Sequence, residues 1–215
     1  MNCLKHKSTY GAALAALLII IPTVRSAPAG TWSARLGITY LDMANKSDAF
    51  TALSTNFASG AVQVSDRIIP EFDFAYWITE NFSAELVLTI PQKHNVSLQG
   101  AGRLGTFKHL PPTLLAKYHF TTISENFRPY IGVGVNLTLI SSVKLQVANV
   151  PLDLENSSIG LAGQVGFDYE LGGGRFLNVD LKKVYIRSDV LAGGARLTTA
   201  RLDPLLYSIG FGWRF

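Results

Sequence analysis

The chain is poor in cysteine, poor in charge and without a long apolar run. Its one cysteine is Cys3, so no intrachain disulfide and no cysteine-held metal is possible downstream. Charged residues make up 16% of the 215 residues, against an average near 25%. The longest apolar run, Ala12 to Ile21, falls short of the ~20 residues a helix needs to span a bilayer. Yet 48% of the chain is hydrophobic. That apolar content must therefore be dispersed, and it is dispersed in alternation.

The apolar run follows Lys5 and Lys7, is closed by Pro22, and precedes the small residues Ser26, Ala27 and Ala29. This is the layout of a secretory leader. It predicts a signal peptide over 1–26, cleaved after Ser26 or Ala29, and one domain over 27–215. Cys3 would leave with the leader, and its place ahead of the apolar run argues against a lipoprotein. Lys5, Lys7 and Arg25 carry three of the four net positive charges, so the remainder is near neutral. Charge gives no reason to expect a nucleic-acid partner.

The clearest alternation closes the chain. Leu205, Tyr207, Ile209, Phe211, Trp213 and Phe215 are large and apolar, whereas Ser208, Gly210, Gly212 and Arg214 between them are small or polar. A period of two marks a strand with unlike faces. Seven more such stretches precede it. They begin near Trp32, Arg67, Phe82, Leu110, Tyr130, Ile159 and Leu177. The connections alternate between short turns, such as Thr79-Glu80-Asn81 and Gly172-Gly173-Gly174, and long polar stretches read as loops over 42–65, 91–109, 141–156 and 188–201. Lys183 interrupts the greasy face of the seventh strand.

The fold class expected is all-β: an eight-stranded antiparallel transmembrane β-barrel with short periplasmic turns and longer extracellular loops. A bilayer offers no hydrogen bonds to a sheet edge, so the sheet must close. A soluble lipocalin-like barrel has a similar strand count. Face size decides between them. Eight rows of Phe, Tyr, Trp, Ile and Leu are too bulky for so narrow a lumen, while the Gly, Ser, Thr and Ala rows fit it. Aromatics at strand ends, including Trp32, Tyr76, Phe82, Phe120, Tyr169 and Trp213, suit the membrane interfaces.

The inner rows divide by height. The periplasmic half is expected to hold Arg35, Glu71, Asp73, Glu85, Lys117, Asp168, Glu170, Asp180, Lys182 and Arg214, a plug of ion pairs. The outer half holds Leu41, Ile69, Val87, Leu115, Ile186 and Leu206, read as an apolar cup for a small hydrophobic ligand or, equally, as a packed core. Pro91, Pro111 and Pro112 lie at the facing ends of strands three and four. Prolines donate no ladder bonds, so they either open a gap in the wall or stiffen loops.

Several stretches resemble one family. Residues 107–120 (FKHLPPTLLAKYHF), 128–136 (RPYIGVGVN), 160–169 (GLAGQVGFDY), 178–185 (NVDLKKVY) and 209–215 (IGFGWRF) are similar, in order, to blocks of the OmpW family of outer-membrane proteins. The Lys182-Lys183 pair belongs to one of those blocks. The resemblance implies a bacterial outer-membrane barrel, non-enzymatic and without cofactor, that takes up small hydrophobic solutes and releases them laterally near Pro91. Its implied partners are outer-membrane lipids and lipopolysaccharide, the solutes themselves, and the barrel assembly machinery, through a final strand ending on Phe215. The alternative is a structural or surface-interaction barrel without transport. An enzyme is not expected: His94, Ser97 and His109 share one loop but form no spaced nucleophile–base–acid set. Gly132 and Gly134 lack the third glycine of a phosphate loop.

Overall fold

A computed structural model describes residues 28–52, 54–121 and 123–215. The leader expected over 1–26 lies outside the described residues. The described residues form seventeen strands: β1 (Trp32–Asp42), β2 (Lys46–Ser47), β3 (Phe50–Ala52), β4 (Thr55–Phe57), β5 (Val62–Val64), β6 (Arg67–Trp77), β7 (Phe82–Thr89), β8 (Gln92–Leu98), β9 (Gly102–Leu110), β10 (Thr113–His119), β11 (Phe127–Val147), β12 (Val150–Leu154), β13 (Ser157–Gly172), β14 (Arg175–Val184), β15 (Arg187–Ala192), β16 (Ala195–Arg201) and β17 (Leu205–Arg214).

Eight of these close into a barrel. The ring runs β1, β6, β7, β10, β11, β13, β14, β17 and back to β1, with every neighbouring pair antiparallel. Register keeps like faces together: Leu36 sits opposite Phe211 and Gly37 opposite Gly210. The bulky rows point outward. Leu137 is 43% exposed, while its neighbour Asn136 is 1% exposed. The same contrast holds around the ring, from Ile38 and Phe74 to Val133, Val165 and Ile209. An apolar belt this continuous is stable only against hydrocarbon.

At the short-turn end, aromatic rings gather in outward pairs. Trp32 and Tyr76 lie 5.0 Å apart, as do Phe82 and Tyr118, while Phe211 and Trp213 lie 4.8 Å apart. Such rings suit the polar–apolar boundary of a bilayer. The β13–β14 connection requires glycine: Gly172, Gly173 and Gly174 all have positive φ, at 82°, 62° and 75°. Lys183, which broke the outward pattern, turns its Nζ to the Asp203 carbonyl.

The long connections differ from expectation. They are not loops but a second storey of strands. In that storey β5, β8, β9, the far end of β11, β12, β15, β16 and β2 pair in sequence. Ser47 nearly joins the two edges, accepting hydrogen bonds from Gly60 N at 2.9 Å and Val62 N at 3.3 Å. The fifth barrel strand accordingly runs on to Val147, and the fourth begins at Thr113, with Leu110 ending β9. The reason is solvent. Below, hydrocarbon surrounds the sheet and large side chains face out. Above, water surrounds it and the pattern inverts: in β8, Val96 and Leu98 face in, while Lys93 and Asn95 face out. Short strands with polar exteriors read as loops by composition.

Candidate functional site

The charged residues of the lower lumen converge on one network. Arg35 on β1 lies 2.6 Å from Asp73 on β6 and 2.9 Å from Asp180 on β14. Lys182 bridges Asp180 at 2.6 Å and Glu71 at 2.7 Å. Lys117 pairs with Glu85 at 2.8 Å, and Arg214 with Asp168 at 3.0 Å and with Glu170. All ten residues expected at the periplasmic end point into this floor and are withdrawn from water. Buried charges persist only when paired, and each of these has a partner of opposite sign.

The floor holds more than charge. Arg128, buried, lies 3.4 Å from Glu170. Asn178 donates to Tyr130 Oη at 2.8 Å and to Asp168 at 2.7 Å. Lys117 stands 3.7 Å over the Tyr130 ring, and Arg214 stands 4.4 Å over Phe176. Trp77 lies tilted against His119 with ring centroids 4.1 Å apart. Of these, Arg128, Trp77 and Phe176 were not expected in the lumen. Strand parity carries the signal for Arg128, which shares its face with Tyr130 and Gly132. The packing is tight: a Cβ on Gly212 would come within 2.2 Å of the Phe176 ring, and one on Gly166 within 2.7 Å of Tyr130 Oη.

Above the floor is an apolar waist. Leu41, Ile69, Val87, Ile186 and Leu206 line a small cavity together with Thr89, His109 and Pro111. Leu115 is buried in the same apolar cluster. Higher still lies a second apolar cavity, walled by Val62, Leu98, Phe107, Leu145, Leu154 and others of the second storey. Phe50, stacked on Phe57 at 5.1 Å, contributes from the β3–β4 hairpin. This upper cavity was not legible, because its walls read as loops.

The prolines sit where one hydrogen-bonded ladder is interrupted. The β7–β10 ladder ends at the Val87–Thr113 pair, and the β8–β9 ladder begins at Gln92–His109. Between these pairs lie Pro91 on one side and Pro111 and Pro112 on the other, none with an N–H to give. Pro91 is exposed, while Pro111 and Pro112 are half-buried. Asn136 clamps the second side. Its Nδ2 donates to the carbonyls of Pro111 and Pro112 at 3.1 Å and to Thr113 Oγ1 at 2.8 Å.

Two histidines sit where waist and upper storey meet. Their rings stack at 4.7 Å. Burial pushes His109 down to about 3, and the adjacent His94 adds to the shift. Burial also lowers His94, outweighing its hydrogen bond to the Ser65 carbonyl. Among the described residues, no three His, Asp or Glu side chains gather as a metal site.

The OmpW family matches residues 28–215. Outer membrane protein W of Escherichia coli is 31% identical over 163 residues, covering 73% of this chain and 77% of its own. The dibenzothiophene metabolism operon protein PahQ of Pseudomonas aeruginosa is 30% identical over 195 residues, covering 86% and 88%. The crystal structure of the outer membrane protein OprG of Pseudomonas aeruginosa superposes with a TM-score of 0.76 at 27% identity, covering 88% of this chain and 98% of that one. With its closed ring, outward apolar belt and charged lumen floor, the chain belongs to the OmpW family and is a non-enzymatic, eight-stranded antiparallel barrel of the bacterial outer membrane.

Proposed function

We propose that the barrel passively admits small hydrophobic molecules. They enter the apolar upper cavity from outside, descend to the waist, and leave sideways into the bilayer through the proline seam. The observation that carries this is vertical order: an apolar cavity stands above a floor of interlocked ion pairs. An apolar solute gains by entering the first and would have to break the second to go straight through. Leu41, Ile69, Val87, Leu115, Ile186 and Leu206 act as the hydrophobic path. Arg35, Glu71, Asp73, Glu85, Lys117, Asp168, Glu170, Asp180, Lys182 and Arg214 act as the plug. Pro91, Pro111 and Pro112 form the exit. The PahQ relative is a dibenzothiophene metabolism operon protein, which is consistent with an aromatic solute.

The partners in this reading are the solute and the surrounding lipid, with lipopolysaccharide at the outer rim. Phe215, 74% exposed and paired through its backbone to Trp32, is the handle for the barrel assembly machinery. Flux of naphthalene into liposomes tests the path. The intact barrel is expected to speed entry. Ile186→Trp, which fills the waist, should abolish the gain. Pro91→Ala with Pro111→Ala, which restores two N–H groups, should reduce it while the barrel stays folded. Flux equal to protein-free liposomes would favour the surface-interaction reading instead.

A further inference from the structure

Five buried polar atoms without a hydrogen-bond partner lie together at one level of the lumen. They are Thr89 Oγ1, Gln92 Oε1, His94 Nε2 and both ring nitrogens of His109. Register brings them close: Gln92 pairs with His109 across β8–β9, and Thr89 ends β7 just below. His109 is 1% exposed and His94 fully buried. His109 and Thr89 line the waist cavity, and Phe107 lines the cavity above. Phe107, His94 and His109 form a ladder of near-parallel rings, with centroids 5.6 Å and 4.7 Å apart.

Buried polar groups are nearly always satisfied, so a cluster of orphans inside apolar walls needs a reason. Hydrogen-bond roles narrow it. His94 Nδ1 contacts the Ser65 carbonyl at 2.6 Å, and a carbonyl only accepts, so Nδ1 carries the proton. His94 Nε2 is therefore an acceptor. His109, neutral through burial, offers one donor and one acceptor. Lys182, the cation lining the waist, is already committed to Glu71 and Asp180, and Arg67, whose charge reaches His94, donates to the Lys93 and Asp66 carbonyls. The shelf thus presents both roles and no free charge. A hydroxyl matches it, being donor and acceptor at once. A hydrocarbon satisfies none of it.

We infer that the junction between waist and upper storey is a binding site for hydroxylated aromatic molecules, with the hydroxyl on His109 and the ring against the Phe107–His94–His109 ladder. This rests on the uptake reading and names its solute class. His109 is a specificity-determining residue in it, and His94 and Thr89 support the same polar shelf.

The test compares 1-naphthol with naphthalene, which share a carbon skeleton. Equilibrium binding of each is measured by fluorescence to the full barrel in phospholipid nanodiscs, corrected for partition into empty nanodiscs. One hydrogen bond retained against one orphaned corresponds to about a tenfold preference for 1-naphthol. His109→Phe should erase that preference, and His109→Gln, which keeps a donor and an acceptor, should restore part of it. Equal binding of the two compounds to the unaltered barrel overturns the inference and leaves the uptake reading standing. A preference that survives His109→Phe also overturns it. Failure of both compounds to bind above empty nanodiscs overturns both. Because the first comparison needs no variant, a misfolded substitution cannot hide the result.

Discussion

Lys182 Nζ lies 2.7 Å from Glu71 Oε1, although the two residues stand 111 positions apart in the chain. The contact crosses the lumen: β14 and β6 are separated by β17 and β1 along the wall. It ties β14 to β6 through the lumen and, with the Asp180 contact at 2.6 Å and the Ser208 Oγ contact at 3.1 Å, engages all three N–H groups of Lys182.

Removing that lysine should therefore be costly. Lys182→Met leaves the Glu71 carboxylate with Arg35 at 3.6 Å as its remaining ion pair. The expected loss is about 3–5 kcal/mol, the usual cost of stranding one buried charge. Adding Glu71→Gln should recover part of it. Denaturant midpoints of the refolded barrels measure both.

The outward belt makes a contrasting prediction. Val133, 70% exposed midway along the lower half of β11, faces hydrocarbon. Val133→Arg should destabilise by about 2–4 kcal/mol if the site lies near the bilayer midplane. Lys93→Glu, on the water-facing side of β8, should stay within about 0.5 kcal/mol. Unfolding in lipid vesicles compares the two.

Gly212 and Phe176 test the packing of the floor. A side chain at Gly212 meets the Phe176 ring at 2.2 Å. Gly212→Ala should cost about 1–3 kcal/mol through overpacking. Phe176→Ala in the same chain removes the obstacle, so the double variant should lose less than the sum of the single ones. Thermal melts followed by the β-sheet signal report this.

The buried histidine pair predicts a pH dependence. His109 titrates near 6.5 in the unfolded chain and is pushed down to about 3 by burial in the folded one. Between those values the unfolded state binds the extra proton, so stability falls as pH drops from 6.5 towards 3 and this contribution is constant above 6.5. Urea midpoints at pH 7 and pH 5 should differ, and His109→Phe should flatten the difference.

Much of this protein follows from its order of residues alone. Alternation such as Ile131, Val133, Val135 and Leu137 against Tyr130, Gly132, Gly134 and Asn136 sets eight strands and their outward face, because a strand's period of two is a local property and the bulky row cannot fit a narrow lumen. Parity likewise assigns Arg35, Glu71 and Lys182 to the lumen. What parity cannot state is which charges meet. The Lys182–Glu71 and Arg35–Asp180 contacts depend on barrel closure and on the stagger between distant strands. Nor could it show the second storey. There the surrounding solvent changes from lipid to water and the meaning of each face reverses, so Val96 and Leu98 turn inward beside polar neighbours that read as loop. The stacking of His94 on His109, between two cavities, exists only because β8 and β9 pair in that reversed environment. Local sequence carries the period of a strand, and only the assembled barrel decides what each face of that strand meets.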